Sequence, residues 1–222
     1  ERTGLSMSDA WKSIAQGFAD EWARPGPFME TEPIMNAPRS YKEYSGSTTD
    51  ESDIYAIESG LRVSRSLVRI DRDGQVTRLR PFASQTSTLM WSAPMRRIYW
   101  SETVRDPRWE LVEKSQIRYY DPADGSCGEL TVDGRLFNPA PHPTDKLVAA
   151  TDYPVRGGSV VVVLDAQTGR ETLRRTAPDS LQIVESAWTA NGLVVSAIGP
   201  RGFGIYDLEF NAIVEPLPRK IK

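Results

Sequence analysis

The chain has 222 residues, 39% hydrophobic and 26% charged, with a net charge of −3 and a pI near 5.4. That is a globular composition. It has no basic excess to hold nucleic acid and no apolar run near the ~18 residues of a membrane span. One cysteine, Cys127, excludes an internal disulfide, and one histidine, His142, excludes the helical zinc-peptidase motif that needs two.

Taken in order, Glu1 is not followed by the apolar core of a secretory leader. Ser8 to Trp22 reads as an amphipathic helix, with Trp11, Ile14, Ala15, Phe18, Ala19 and Trp22 on one face at steps of three and four. Ser8 is its expected N-cap and Asp9 suits the first turn. Arg24-Pro25-Gly26-Pro27 stops it, which makes 1–27 a helix and its stop. Pro33 and Pro38 extend the proline-rich stretch, and 28–44 reads as an extended linker. From 45 to 222 the chain reads as short strands.

The strands repeat. Val160-Val161-Val162-Val163-Leu164 is apolar throughout, as a strand buried on both faces must be. It closes at Asp165 and turns through Thr168-Gly169, where Asp supplies acceptors to the backbone and Gly the positive φ. Leu67–Ile70 closes the same way at Asp71, Ile117–Tyr120 at Asp121 and Gly204–Tyr206 at Asp207. These aspartates are spaced 50, 44 and 42 residues apart. A second strand precedes each: Ile54–Ile57, Ile98–Trp100, Leu147–Ala150 and Leu193–Ser196, each entered through a polar turn. Four units result, near 45–88, 89–138, 139–185 and 186–217, the size of propeller blades. The fold class expected is all-β: about four β-propeller-type antiparallel blades forming an incomplete propeller, with one N-terminal amphipathic helix. An open arc of this kind is expected to expose the apolar flanks of its end blades.

The turn His142-Pro143-Thr144-Asp145 and the strand end Asp165-Ala166-Gln167-Thr168-Gly169 resemble the repeats of TolB-type, WD-like β-propellers. Ile98–Glu102, Asp106-Pro107-Arg108-Trp109 and Ile117–Asp121 resemble the propeller part of large bacterial envelope proteins with a metallopeptidase-like front half. The resemblance covers roughly residues 45–210. It implies a periplasmic or envelope-associated location, and it makes the helix the tail of that front half.

No constellation for chemistry emerges. His142 is held between Pro141 and Pro143 in a turn, which suits a turn residue better than a general base. Gly125-Ser126-Cys127-Gly128 lacks the spacing and the strand–helix setting of a nucleophile elbow. Gly202-Phe203-Gly204 opens no helix that could hold phosphate, and no calcium loop has the required spacing. No catalytic, metal or cofactor residues are assigned. Two clusters remain as contact candidates. Arg62 and Arg65 lead a run of six arginines ending at Arg80. Arg105, Arg108 and Trp109 lie in the stretch from Glu102 to Lys114, read as a long loop of the kind that carries function in regular repeats.

The function expected is a non-catalytic binding or interaction module, part of a larger envelope-associated protein, with a protein partner or self-association and no nucleic acid. Two alternatives stand beside it. One is the propeller lid of a prolyl-oligopeptidase-like peptidase whose catalytic domain lies elsewhere. The other is a glycan-binding propeller, which six tryptophans permit; Trp91 and Trp188, at equivalent positions, are expected to fill the core.

Overall fold

The computed structural model describes residues 4, 6–23, 32–35, 38–106, 108–109, 113–131 and 134–214. It divides into two compact units, Glu1–Ile34 and Met35–Lys222.

In the first unit, α1 spans Met7–Trp22. Its N-cap is Ser6, not Ser8. Ser6 Oγ accepts the Asp9 N–H at 3.2 Å and donates to Asp9 Oδ2 at 2.6 Å. This reciprocal pair closes the first turn two residues earlier than helical periodicity alone indicated. The apolar stripe is formed as expected, with Trp11 70% and Trp22 82% exposed.

The second unit contains four antiparallel four-stranded sheets, each in simple chain order. Blade 1 is β1 (Lys42–Thr49), β2 (Ile54–Gly60), β3 (Val63–Ile70) and β4 (Val76–Pro81). Blade 2 is β5 (Met90–Ser92), β6 (Arg97–Arg105), β7 (Glu113–Tyr120) and β8 (Cys127–Glu129). Blade 3 is β9 (Leu136–Pro141), β10 (Leu147–Asp152), β11 (Val160–Asp165) and β12 (Glu171–Thr176). Blade 4 is β13 (Gln182–Thr189), β14 (Gly192–Gly199), β15 (Gly202–Tyr206) and β16 (Ala212–Val214).

Every strand read from apolar content is present as the second or third strand of a blade. The first strands were not anticipated. β1 starts at Lys42, inside the stretch read as linker, and has no apolar alternation. β9 carries Pro139 and Pro141. It lies at the edge of its sheet, where a missing N–H breaks no ladder on its open side. The polar turns taken as the start of each unit therefore join first strand to second.

Packing between blades follows from strand alternation. Tyr55, Ile57 and Leu67 of blade 1 meet Ile98, Trp100 and Tyr120 of blade 2. Tyr99 and Ile117 meet Val148, Ala150, Val162 and Leu164 of blade 3. Ala149, Val161 and Val163 meet Ile183, Leu193 and Val195 of blade 4. The run Val160–Leu164 is thus buried on both faces, odd and even residues serving different neighbours. Burying each such side chain contributes about 1.5–3 kcal/mol.

The four closing turns are one structure repeated. In each, the Asp carboxylate accepts backbone N–H groups further along the turn. For Asp165 these are Gln167 at 3.0 Å and Thr168 at 2.8 Å. The Thr168 N–H and then its hydroxyl hold the Asp165 carboxyl below the usual aspartate range, and the Asn211 side-chain amide and then its N–H do the same for Asp207. Each turn has one residue of positive φ: Gly125 and Gly169 at the fifth position, at 73° and 72°, and Gly74 and Phe210 at the fourth position of shorter turns, at 75° and 61°.

The arc does not close among the described residues, where no strand of blade 4 is paired with blade 1. The outer face of blade 1 is nevertheless covered. Ala56, Val68 and Ile70 are buried, with Met35 and Tyr44 packed on them. Beside them Glu58, 1% exposed, accepts Lys42 Nζ at 2.5 Å, Arg78 Nη2 at 2.7 Å and Tyr44 Oη at 3.2 Å. The apolar flank expected of an open arc is therefore not bare at blade 1.

Candidate functional site

Simple chain order sorts the connections onto two ends. The Asp turns and the turns joining first to second strands lie at one end. The hairpins joining second to third strands, and the crossings from blade to blade, lie at the other. All five contact candidates fall on this hairpin end of blades 1 and 2. Arg62 sits in the turn between β2 and β3, and Arg65 begins the return strand. Arg105 ends β6, and Arg108 and Trp109 lie in the connection to β7.

Of the stretch read as a long loop from Glu102 to Lys114, residues 102–105 and 113–114 are strand. β6 and β7 stay paired out to Arg105 opposite Glu113, so the ladder carries both ends of this stretch and residues 106–112 connect them. Asp106 shapes the tip: its Oδ1 accepts the N–H groups of Arg108 at 2.8 Å and Trp109 at 3.1 Å. Trp109 is 67% exposed.

Glu102 is the residue that sequence reading missed. Its place in the run Ile98-Tyr99-Trp100-Ser101-Glu102 puts it on the Trp100 face, turned toward blade 1, and it is 2% exposed. The crossing from blade 1 runs alongside: Thr103 N–H donates to Gln85 O at 3.0 Å, and Ser84 Oγ to Thr103 O. Glu102 Oε1 accepts the Ala83 N–H at 3.1 Å, and Oε2 lies 3.1 Å from Arg118 Nε. Arg118 also donates to Glu129 Oε1 at 2.7 Å and Gln116 Oε1 at 3.2 Å. Arg65 is tied to the same crossing through Thr86, donating to its Oγ1 at 3.1 Å.

Between these parts lies a groove of about 520 Å³, lined among others by Ser84, Gln85, Glu102, Arg105 and Arg118. The structure thus brings Arg105 into this groove and ties Arg65 to its wall. Arg62, Arg108 and Trp109 share the same end without lining it. The buried carboxylate is matched by an arginine, so the groove offers hydrogen-bonding groups on a rigid frame; its lining holds no nucleophile–base pair. The signal that could have marked Glu102 is its charge two places after Trp100, on the face that carries Ile98 and Trp100.

His142 serves its turn. Nδ1 accepts the N–H groups of Asp145 at 2.9 Å and Thr144 at 3.2 Å, and the ring packs edge-on against Trp188 with centroids 4.4 Å apart. Trp188 Nε1 donates to Ala140 O at 2.9 Å. Trp188 and Trp91 are half-buried and pack against core clusters. Among the described residues there is no group of three His, Cys, Asp or Glu side chains able to hold a metal ion. No described helix is long and apolar enough to cross a membrane.

No known family profile and no curated protein sequence matches the chain. Solved structures do. A puromycin-hydrolyzing peptidase of Mycobacterium tuberculosis aligns with a TM-score of 0.60 and 13% identity, over 84% of this chain and 33% of that one. A prolyl endopeptidase aligns at 0.59 and 12%, over 80% and 30%. TolB from Acinetobacter baumannii aligns at 0.52 and 20%, over 73% and 40%. The chain therefore spans about a third of the length of these peptidases and less than half of TolB. Likeness at such identity speaks for the fold alone, and the fold is a TolB-like β-propeller, present here as an unclosed arc of four blades.

Proposed function

We propose that the chain is a non-catalytic recognition module of a larger bacterial envelope protein, and that the hairpin end of blades 1 and 2 is its contact surface for a protein partner. The observation that carries this reading is the convergence of the five candidates on one end of two adjoining blades. Exposed Trp109 and Arg108 stand at a tip fixed by Asp106, and Arg105 enters the groove beside them. Exposed aromatic and arginine side chains on a rigid support are the usual anchors of protein interfaces.

The test has two arms. Peptide, ester and lactone substrates are expected to show no turnover above an unfolded control; turnover that His142→Ala abolishes overturns the non-catalytic reading. A photo-crosslinker at position 109 is expected to capture a discrete envelope partner, with capture lost on Arg105→Glu and retained on Asp124→Ala at the opposite end. Equal loss in both variants removes the hairpin end as the contact surface.

A second reading is the propeller part of a peptidase. The likeness to the puromycin-hydrolyzing peptidase and the prolyl endopeptidase favours it. The rest of the polypeptide discriminates: a nucleophile-elbow hydrolase domain supports this reading, and an upstream zinc motif supports the first.

A further inference from the structure

The blades align residue for residue through their closing aspartates. In each, the third-strand residue four places before the Asp is paired with a second-strand residue, and the pair points toward the following blade. These pairs are Leu67 with Ile57, Ile117 with Ser101, Val161 with Thr151 and Phe203 with Ile198. In blades 1 to 3 every member is at most 4% exposed, because the next blade lies on it. In blade 4 Phe203 is 64% and Ile198 40% exposed. The next pair along repeats the contrast with blade 3, although its blade 1 counterpart, Arg69, is itself exposed. Val163 of blade 3 is 4% exposed, whereas Ile205 of blade 4 is 40%. Val214, paired with Ile205, widens the patch at 53%.

Solvated strand faces normally carry polar residues. This one carries Phe203 and Ile198 at the positions that are core in the three earlier blades, with Ile205 and Val214 beside them. We propose that this face seats a fifth blade of the same repeat, carried by polypeptide that follows β16. The established interfaces dictate the occupant. Each is made by the next blade in chain order, presenting apolar residues from its second and third strands, as Val148, Ala150, Val162 and Leu164 do against Tyr99 and Ile117. A second copy stacking head to tail is a poor occupant. The face it would offer, on blade 1, already lies beneath Met35, Tyr44 and the Lys42–Glu58–Arg78 ladder. The inference does not rest on the hairpin-end reading, which concerns a different surface.

Thiol protection tests it. Phe203→Cys is placed in a Cys127→Ser background, in the 222-residue chain and in the full gene product. In the 222-residue chain the introduced thiol is expected to react with a maleimide as fast as an exposed thiol. In the full product it is expected to react at least ~10-fold more slowly. Phe203→Asp supplies a second reading. It should leave the melting temperature of the 222-residue chain within about two degrees and lower that of the full product by clearly more. Equal labelling in both proteins, or a gene product with no polypeptide beyond this arc, overturns the proposal. So does protection that rises with concentration in the 222-residue chain as light scattering reports a dimer, since a second copy then occupies the face.

Discussion

Replacing Gly169 with Ala separates two costs that one turn position can carry. Gly125 and Gly169 occupy the same place in the turns of blades 2 and 3, at φ 73° and 72°. An L side chain in this left-handed region costs about 1–2 kcal/mol in either turn. The surroundings differ. A Cβ on Gly125 meets nothing nearer than Tyr120 Oη at 4.0 Å, whereas a Cβ on Gly169 falls 1.9 Å from the carbonyl oxygen of Leu130. Leu130 follows β8, and its N–H is bonded to Ile117 O at 2.8 Å, so that carbonyl is held by blade 2. Methyl and oxygen must part by roughly 1 Å, which moves backbone at a blade interface and adds about 1–3 kcal/mol of overpacking. Gly169→Ala is therefore expected to cost about 2–5 kcal/mol and Gly125→Ala about 1–2. Stiffening of the unfolded chain, worth about 0.4–1 kcal/mol, is common to both and cancels. Urea titrations followed by tryptophan fluorescence measure the difference, provided the slopes agree. Equal losses, or a milder effect at Gly169, would refute the reasoning that the turn is pinned against the neighbouring blade.

Val162→Asp places an unpaired charge at a position that is 0% exposed and should cost about 4 kcal/mol or more, read as loss of the thermal transition; a melting temperature near the parent's contradicts the burial. Burial works against the Glu58 carboxylate, but Arg78 and then Lys42 more than offset it, holding its pKa below the ordinary glutamate value of 4.5. A carboxyl depressed by folding stabilises fully above that value and loses its contribution as pH falls through the folded pKa. Glu58→Gln should therefore flatten the stability profile below about pH 4.5 and cost about 1–2 kcal/mol at pH 7, because Lys42 and Arg78 still reach water; an unchanged acid limb rules this out. Ser6→Ala removes the N-cap hydroxyl and should lower the stability of α1 by about 1 kcal/mol, seen as faster amide exchange in its first turn; Ser8→Ala is expected to leave that exchange nearly unchanged.

The sequence by itself determined the second and third strands of every blade and the four closing turns, because both are written in local chemistry. Apolar runs set which strands are buried, and Asp with a nearby Gly sets where the chain turns. It also placed the helix, though not its cap. The first strands escaped because they line the inner edge of each blade. There Pro139 and Pro141, or the polar run Lys42–Thr49, cost little, so apolar patterning is not required of them. Glu102 reads as an ordinary surface charge until the crossing through Ala83 and the side chain of Arg118 close around it. Tertiary structure alone gathered Arg62, Arg65, Arg105, Arg108 and Trp109 at one end, since residues more than forty positions apart converge only through the stacking of two blades. The sharpest case is the pair Leu67 and Phe203. Both are large apolar residues four places before a closing aspartate, and only one has a blade upon it. Burial belongs to the neighbour as much as to the residue, and a sequence repeat cannot say where the neighbours stop.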